Sequence, residues 1–144
     1  MEGVNRAPDW LEQARWNLRH AEGSLGLEDY AWACFAAHQA AEAALKGLHL
    51  SRGQVAWGYS VLDLLAGLPE GLEVPEGVVE AARVLDKYYI PTRYPDAHPA
   101  GPAARHYTQR EAEEAVRLAR AILDFALGMA PEAGAREDGP DLSL

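Results

Sequence analysis

The chain has a single cysteine, Cys34, among its 144 residues. One thiol makes neither an internal disulfide nor a cysteine zinc site, which excludes a stapled secreted mini-protein. Long apolar runs are also missing. The longest, Tyr30 to Ala37, falls far short of the ~20 residues that span a bilayer. No apolar stretch follows Met1-Glu2-Gly3-Val4-Asn5-Arg6, so no signal peptide is expected. Basic residues are scarce, with 13 Lys and Arg against 22 Asp and Glu and a net charge of −9. Such a deficit argues against sequence-blind binding to long nucleic acids, which relies on phosphate neutralisation. No two histidines sit three or four residues apart, and no glycine-rich loop precedes a lysine in the phosphate-binding pattern. No metal, no cofactor and no membrane contact are expected, and the expected location is cytoplasmic.

What remains is an ordinary globular composition, 49% hydrophobic and 24% charged, enough for one domain with its own core. The apolar spacing is helical throughout. A first helix is expected from Asp9, with Asp9 and Glu12 as a reciprocal cap and Trp10, Leu11, Ala14, Leu18 and Ala21 inward. A second, from about Glu28 to Ser51, is apolar over most of its girth and belongs at the centre of a bundle. Its alanines predict a close approach of neighbouring helices and an apolar face left over for a second copy. Short helices follow at about Ser60 to Ala66 and Glu76 to Tyr88. The last helix starts at Thr108, where Thr108 and Glu111 fit a capping box. The expected architecture is all-α, an up-and-down antiparallel bundle of four to five helices. It divides into an arm over 1–8, the bundle over 9–129 and an acidic flexible tail over 130–144. The four tryptophans read as packing anchors, His20 and His49 as surface positions, and Cys34 and His38 as core.

The informative stretch runs from Arg83 to Arg110. It holds five basic residues (Arg83, Lys87, Arg93, Arg105, Arg110) against Asp86 and Asp96, a local excess of three positive charges (5 − 2) in a chain of −9. Tyr88, Tyr89, Tyr94 and Tyr107 interleave with them, alongside His98 and His106. Cations among aromatic rings suit phosphates and unstacked bases. Pro91, Pro95, Pro99 and Pro102 forbid regular helix there, and long ordered loops tend to carry function. The candidate ligand-binding set is Lys87, Tyr88, Tyr89, Arg93, Tyr94, Asp96 and Arg105. The bland alternative is that the tyrosines cap the core and the arginines pair with acidic neighbours.

Three segments together resemble the HEPN domain family, small helical proteins often encoded beside a minimal nucleotidyltransferase. They are Asp9-Trp10-Leu11 with Ala14, the helix Ala36-Ala37-His38-Gln39-Ala40-Ala41-Glu42-Ala43-Ala44-Leu45-Lys46, and the loop Leu85-Asp86-Lys87-Tyr88-Tyr89-Ile90-Pro91-Thr92-Arg93-Tyr94-Pro95-Asp96-Ala97. The resemblance implies a homodimeric bundle that binds nucleotides or RNA and pairs with a nucleotidyltransferase subunit in a toxin–antitoxin type module. Some members are metal-independent ribonuclease toxins with an Arg and a His separated by four to six intervening residues. Arg93 and His98 match that spacing, with His98 to move a proton and Arg93 to hold the phosphate. Arg15 and His20 match it too, inside the first helix, and read as coincidence. Many toxin members carry a tyrosine two residues after the histidine; here Ala100 occupies that position. The leading expectation is a non-catalytic binding subunit, with the ribonuclease and a purely structural adaptor as alternatives.

Overall fold

A computed structural model describes residues 5–130. The arm's first four residues and the tail from 131 onward lie outside them. The described chain forms five α-helices and no strand: α1 (Ala7–Gly26), α2 (Tyr30–Ser51), α3 (Val61–Ala66), α4 (Glu76–Asp86) and α5 (Gln109–Met129). Two 3-10 turns, Pro95–Ala97 and Ala103–His106, lie between α4 and α5.

The helix α2 is the axis of the bundle. Ala33, Ala37, Ala40, Ala41, Ala44, Leu45 and Leu48 are all fully buried. The helix α1 packs along one side of α2 in the most extensive contact of the fold, and α5 packs on another. Small side chains let the axes close in. At Gly47 an added Cβ would sit 2.8 Å from Leu11 Cγ, so α1 and α2 touch almost backbone to backbone there. The alanines of α2 are thus covered within the monomer. The exposed apolar surface is aromatic instead, as Trp10, Trp16, Trp32 and Trp57 range from 37% to 85% exposed. This corrects two expectations: the alanine face is not left over, and the tryptophans are not buried anchors.

Helix ends explain the remaining shifts. The helix α1 begins at Ala7 rather than Asp9. Asn5 Oδ1 accepts from the Ala7 amide at 2.9 Å, Pro8 occupies the first turn, and Asp9 pairs with Arg6 instead of capping. The expected Thr108–Glu111 capping box on α5 is present in both directions. On that helix Arg117 pairs with Glu114 at 3.7 Å. The helix α4 stops at Asp86, two residues short of Tyr88, and Asp86 is used at once. Its carboxylate accepts from Ser60 Oγ (2.9 Å) and from the amides of Val61 (2.7 Å) and Leu62 (3.1 Å). A carboxylate at the exposed amides of a helix start offsets their partial positive charge. Asp86 therefore ties the end of α4 to the start of α3.

Candidate functional site

The loop from Lys87 to Thr108 is held by side chains reaching its own carbonyls. Its four prolines carry no amide hydrogen, so backbone donors are short. Thr92 Oγ1 donates to the Tyr88 carbonyl at 2.8 Å, and Arg93 Nε donates to the Tyr89 carbonyl at 2.9 Å. His98 Nε2 meets the Pro91 carbonyl at 2.7 Å, and His106 Nε2 meets that of Ala100 at 2.5 Å. A carbonyl only accepts, so both histidines carry their proton on Nε2 and leave Nδ1 uncommitted. Gly101, at φ 79°, lets the Arg105 side chain fold over its backbone; a Cβ there would lie 3.3 Å from Nη1.

Two ring clusters sit on this frame. In the first, the Arg93 guanidinium lies 4.4 Å from the Phe35 ring centroid, 4.7 Å from Tyr89 and 5.2 Å from Tyr94. Tyr89 in turn stacks on Tyr59 at 3.9 Å and 11°, and Trp32 stands edge-on to Phe35 at 5.7 Å. Tyr59, Trp32 and Tyr94 are each 46% exposed, so the cluster offers ring faces to solvent around a half-buried cation. Below it the buried His38 donates from Nε2 to the Tyr59 carbonyl at 2.8 Å, which fixes the loop that carries Tyr59.

The second cluster holds His98. Its ring stacks on His106 at 4.3 Å and 5° and meets Tyr107 edge-on at 5.6 Å. Tyr107 packs edge-on against Tyr88, which is buried above Cys34 in the core. Burial pushes the Cys34 thiol up to about 12, with negative Glu111 adding to it. Burial first, then Cys34 and Glu111, also raises both tyrosine hydroxyls, Tyr107 to about 12 and Tyr88 further. These groups stay protonated and neutral at ordinary pH, as structural groups do.

Of the described cations, several on the bundle are paired, whereas three on the loop are not. Arg6, Lys46, Arg83, Arg117 and Arg120 each face a carboxylate. Among the described residues, Lys87, Arg93 and Arg105 have none within ion-pair distance. In a chain of net charge −9, three cations without acidic partners on one loop form a local anion-attracting region.

The comparisons agree with this arrangement. The model of the HEPN domain matches residues 7–129. The chain belongs to the HEPN domain family. A crystal structure of a protein from Thermus thermophilus is 78% identical, with a TM-score of 0.86, and the match covers 88% of this chain and 99% of that one. An archaeal HEPN homologue is 35% identical at a TM-score of 0.75, over 88% of this chain and 99% of its own. A HEPN domain protein from Thermotoga maritima is 38% identical at 0.69, over 84% and 96%. No curated protein matches the chain.

Within this HEPN bundle the candidate residues separate. Tyr89, Arg93 and Tyr94 come together in the first cluster. Lys87, Asp96 and Arg105 are exposed along the loop, while Tyr88 lies in the core beneath it. Arg93 and His98 fall in different clusters, with no hydrogen bond or ring contact joining them. Sequence reasoning missed Phe35, Trp32 and Tyr59, which complete the ring platform from α2 and the loop after it. Phe35 lies four residues before Gln39 on α2, but nothing in the spacing aims it at a loop fifty residues away. His49 was expected at the surface and is buried, its Nε2 donating to the Leu64 carbonyl at 2.7 Å. No helix of the described residues is long and apolar enough to cross a membrane.

Proposed function

We propose that this HEPN chain is a cytoplasmic, homodimeric subunit that binds a nucleotide or an RNA end through the Arg93 loop and pairs with a minimal nucleotidyltransferase in a toxin–antitoxin type module. One observation carries the binding reading: Arg93, without an acidic partner among the described residues, sits among the rings of Phe35, Tyr89 and Tyr94. Only Nε of its donors is spent on a backbone carbonyl, so the terminal N–H groups are available to a phosphate. Stacking of an unpaired base on such rings contributes about 1–3 kcal/mol per base. Exposed Trp16, outside the ring cluster, supports an interface between copies. The nucleotidyltransferase partner rests on the family resemblance.

A labelled short RNA followed by fluorescence anisotropy tests the reading. Joint replacement of Lys87 and Arg93 by alanine should weaken binding at least about tenfold, roughly 1.4 kcal/mol. The salt dependence should shallow by about one unit of slope for each phosphate no longer neutralised. Equal binding by the double variant and the parent sinks the loop assignment.

A second reading, the metal-independent ribonuclease, has its own support. The Pro91 carbonyl fixes the His98 ring and leaves Nδ1 open for proton transfer. Cleavage of RNA by the pure protein in chelator, lost in His98→Ala, would establish it over the non-catalytic reading. The expected outcome is little cleavage by the parent.

A further inference from the structure

Trp57 is the most exposed large apolar side chain among the described residues, at 85%. It is held out rather than left loose. At one end of its loop the Gln54 amide donates to the His49 carbonyl at 2.9 Å, and the Gln54 side chain meets the His49 ring at 3.0 Å. At the other end His38 donates to the Tyr59 carbonyl. Gly53 and Gly58 turn the chain at φ 77° and 94°, in the left-handed region that side chains disfavour. Two buried histidines of α2 thus pin both ends of a short loop whose tip is an indole in water.

Trp57 faces a groove of about 770 Å³, with Trp10 of α1 on its wall and Lys46, Arg6 and Gln54 at its polar edge. That volume lies inside the ~300–1,000 Å³ range of small-molecule sites. Among the described residues no carboxylate lines it, and Asp9 and Glu42 meet Arg6 and Lys46 at its edge. Lys46 Nζ lies 5.6 Å from the Trp10 ring centroid and spends one hydrogen on Glu42 at 2.8 Å, leaving two N–H groups. Arg6 spends Nε on Asp9 and keeps its terminal N–H groups.

We infer that this groove is a binding site for a small planar aromatic anion. Its ring packs on Trp57 and Trp10, and its anionic group takes the free N–H groups of Lys46 and Arg6. Burial of two indoles supplies the drive, and the N–H groups that Lys46 and Arg6 do not spend on Glu42 and Asp9 supply the selectivity for an anionic group. The site is distinct from the Arg93 loop. Lys46 and Leu50 lie eleven to fifteen residues beyond Phe35 on α2, roughly 17–23 Å at the helical rise.

The probe is 1-naphthyl phosphate, titrated into the full chain by calorimetry and by tryptophan fluorescence, with circular dichroism checking each variant's fold. Two sites per chain are expected, the groove and the Arg93 loop, and Arg93→Ala should remove only the second. Trp57→Ala and Lys46→Gln should each weaken the groove site at least tenfold. Neutral 1-naphthol should bind at least tenfold more weakly. Parent-like binding by Trp57→Ala overturns the inference, and so does equal affinity for the naphthol, which would mark an unselective apolar patch. If Trp57→Ala converts a sedimenting dimer to monomer, the groove is covered by a second copy and the inference fails.

Discussion

Replacing Gly47 by alanine sets two effects of opposite sign against each other. Alanine is favoured over glycine inside a helix by about 0.8–1.0 kcal/mol, and Gly47 is well inside α2. By propensity alone the change stabilises. The packing says otherwise. The new Cβ would lie 2.8 Å from Leu11 Cγ, 3.0 Å from Cδ2 and 3.2 Å from the Leu11 amide nitrogen. Ordinary carbon contacts begin near ~3.5 Å, so the nearest is short by roughly 0.7 Å. Leu11 is only 2% exposed and has no room to swing away, and the amide nitrogen belongs to the α1 backbone. Relief therefore requires α1 to retreat from α2, loosening the most extensive contact in the fold. Overpacking of this kind costs about 1–3 kcal/mol, which exceeds the propensity gain over most of its range. Gly47→Ala should lose up to about 2 kcal/mol net. Gly23→Ala is the control: it lies in α1 with nothing within 4 Å of its added Cβ, and it should gain up to about 1 kcal/mol. Guanidinium unfolding followed by helical dichroism measures both as midpoint shifts at constant slope. If both variants shift upward together, α1 yields at no cost and the close-contact reasoning is wrong.

Asp86→Ala removes the acceptor for Ser60 Oγ and for the amides of Val61 and Leu62, and should cost about 1.5–3 kcal/mol in thermal unfolding. Asp86→Asn should recover part of that, and a loss under about 0.5 kcal/mol would show the cap to be dispensable. Stability should also fall at alkaline pH. The Cys34 thiol ordinarily ionises near 9.0 but is pushed up to about 12 in the fold, so between these values the unfolded chain releases a proton that the folded chain keeps. Cys34→Ala should flatten the onset of that decline between pH 8 and 9, where Tyr88 and Tyr107, ordinarily ionising near 10.0, contribute little; an unchanged slope in that window would refute the assignment.

The order and type of the helices were legible because their apolar periodicity is strong. Thr108–Glu111 could be read as a cap because the whole motif lies within four residues. Asn5 was not legible as a cap, since Pro8-Asp9 makes a more familiar start and Arg6 competes for the carboxylate. The same limit governs the candidate site. Lys87, Tyr89, Arg93 and Tyr94 stand within eight residues of one another, so local composition brings them out. Phe35 and Tyr59 reach the cluster only through packing across α2. His49 illustrates the converse error. It sits where the apolar stripe of α2 ends, and it is buried because Leu64 and Gln54, from elements beyond the helix, supply its hydrogen-bond partners.

The proline loop sharpens what an arginine and a histidine at this spacing mean here. Four prolines leave carbonyls that need donors, and Thr92, Arg93, His98 and His106 supply them from side chains. Each of these residues therefore has a structural role that exists whether or not RNA is bound. A loss of RNA binding in His98→Ala would be expected from a loosened Pro91 turn alone and says nothing about proton transfer. Only a fall in turnover with affinity retained, in a protein that cleaves to begin with, distinguishes a catalytic His98 from one that holds the loop. Arg93 differs in degree. Its Nε serves the backbone while its guanidinium carbon lies within 5.2 Å of three ring centroids, so Arg93→Lys keeps a positive charge but loses both the guanidinium's ring contacts and the Nε bond. If the loop recognises phosphate through a guanidinium held among rings, lysine at that position binds little better than alanine; a phosphate contact that needs only charge would be restored by it.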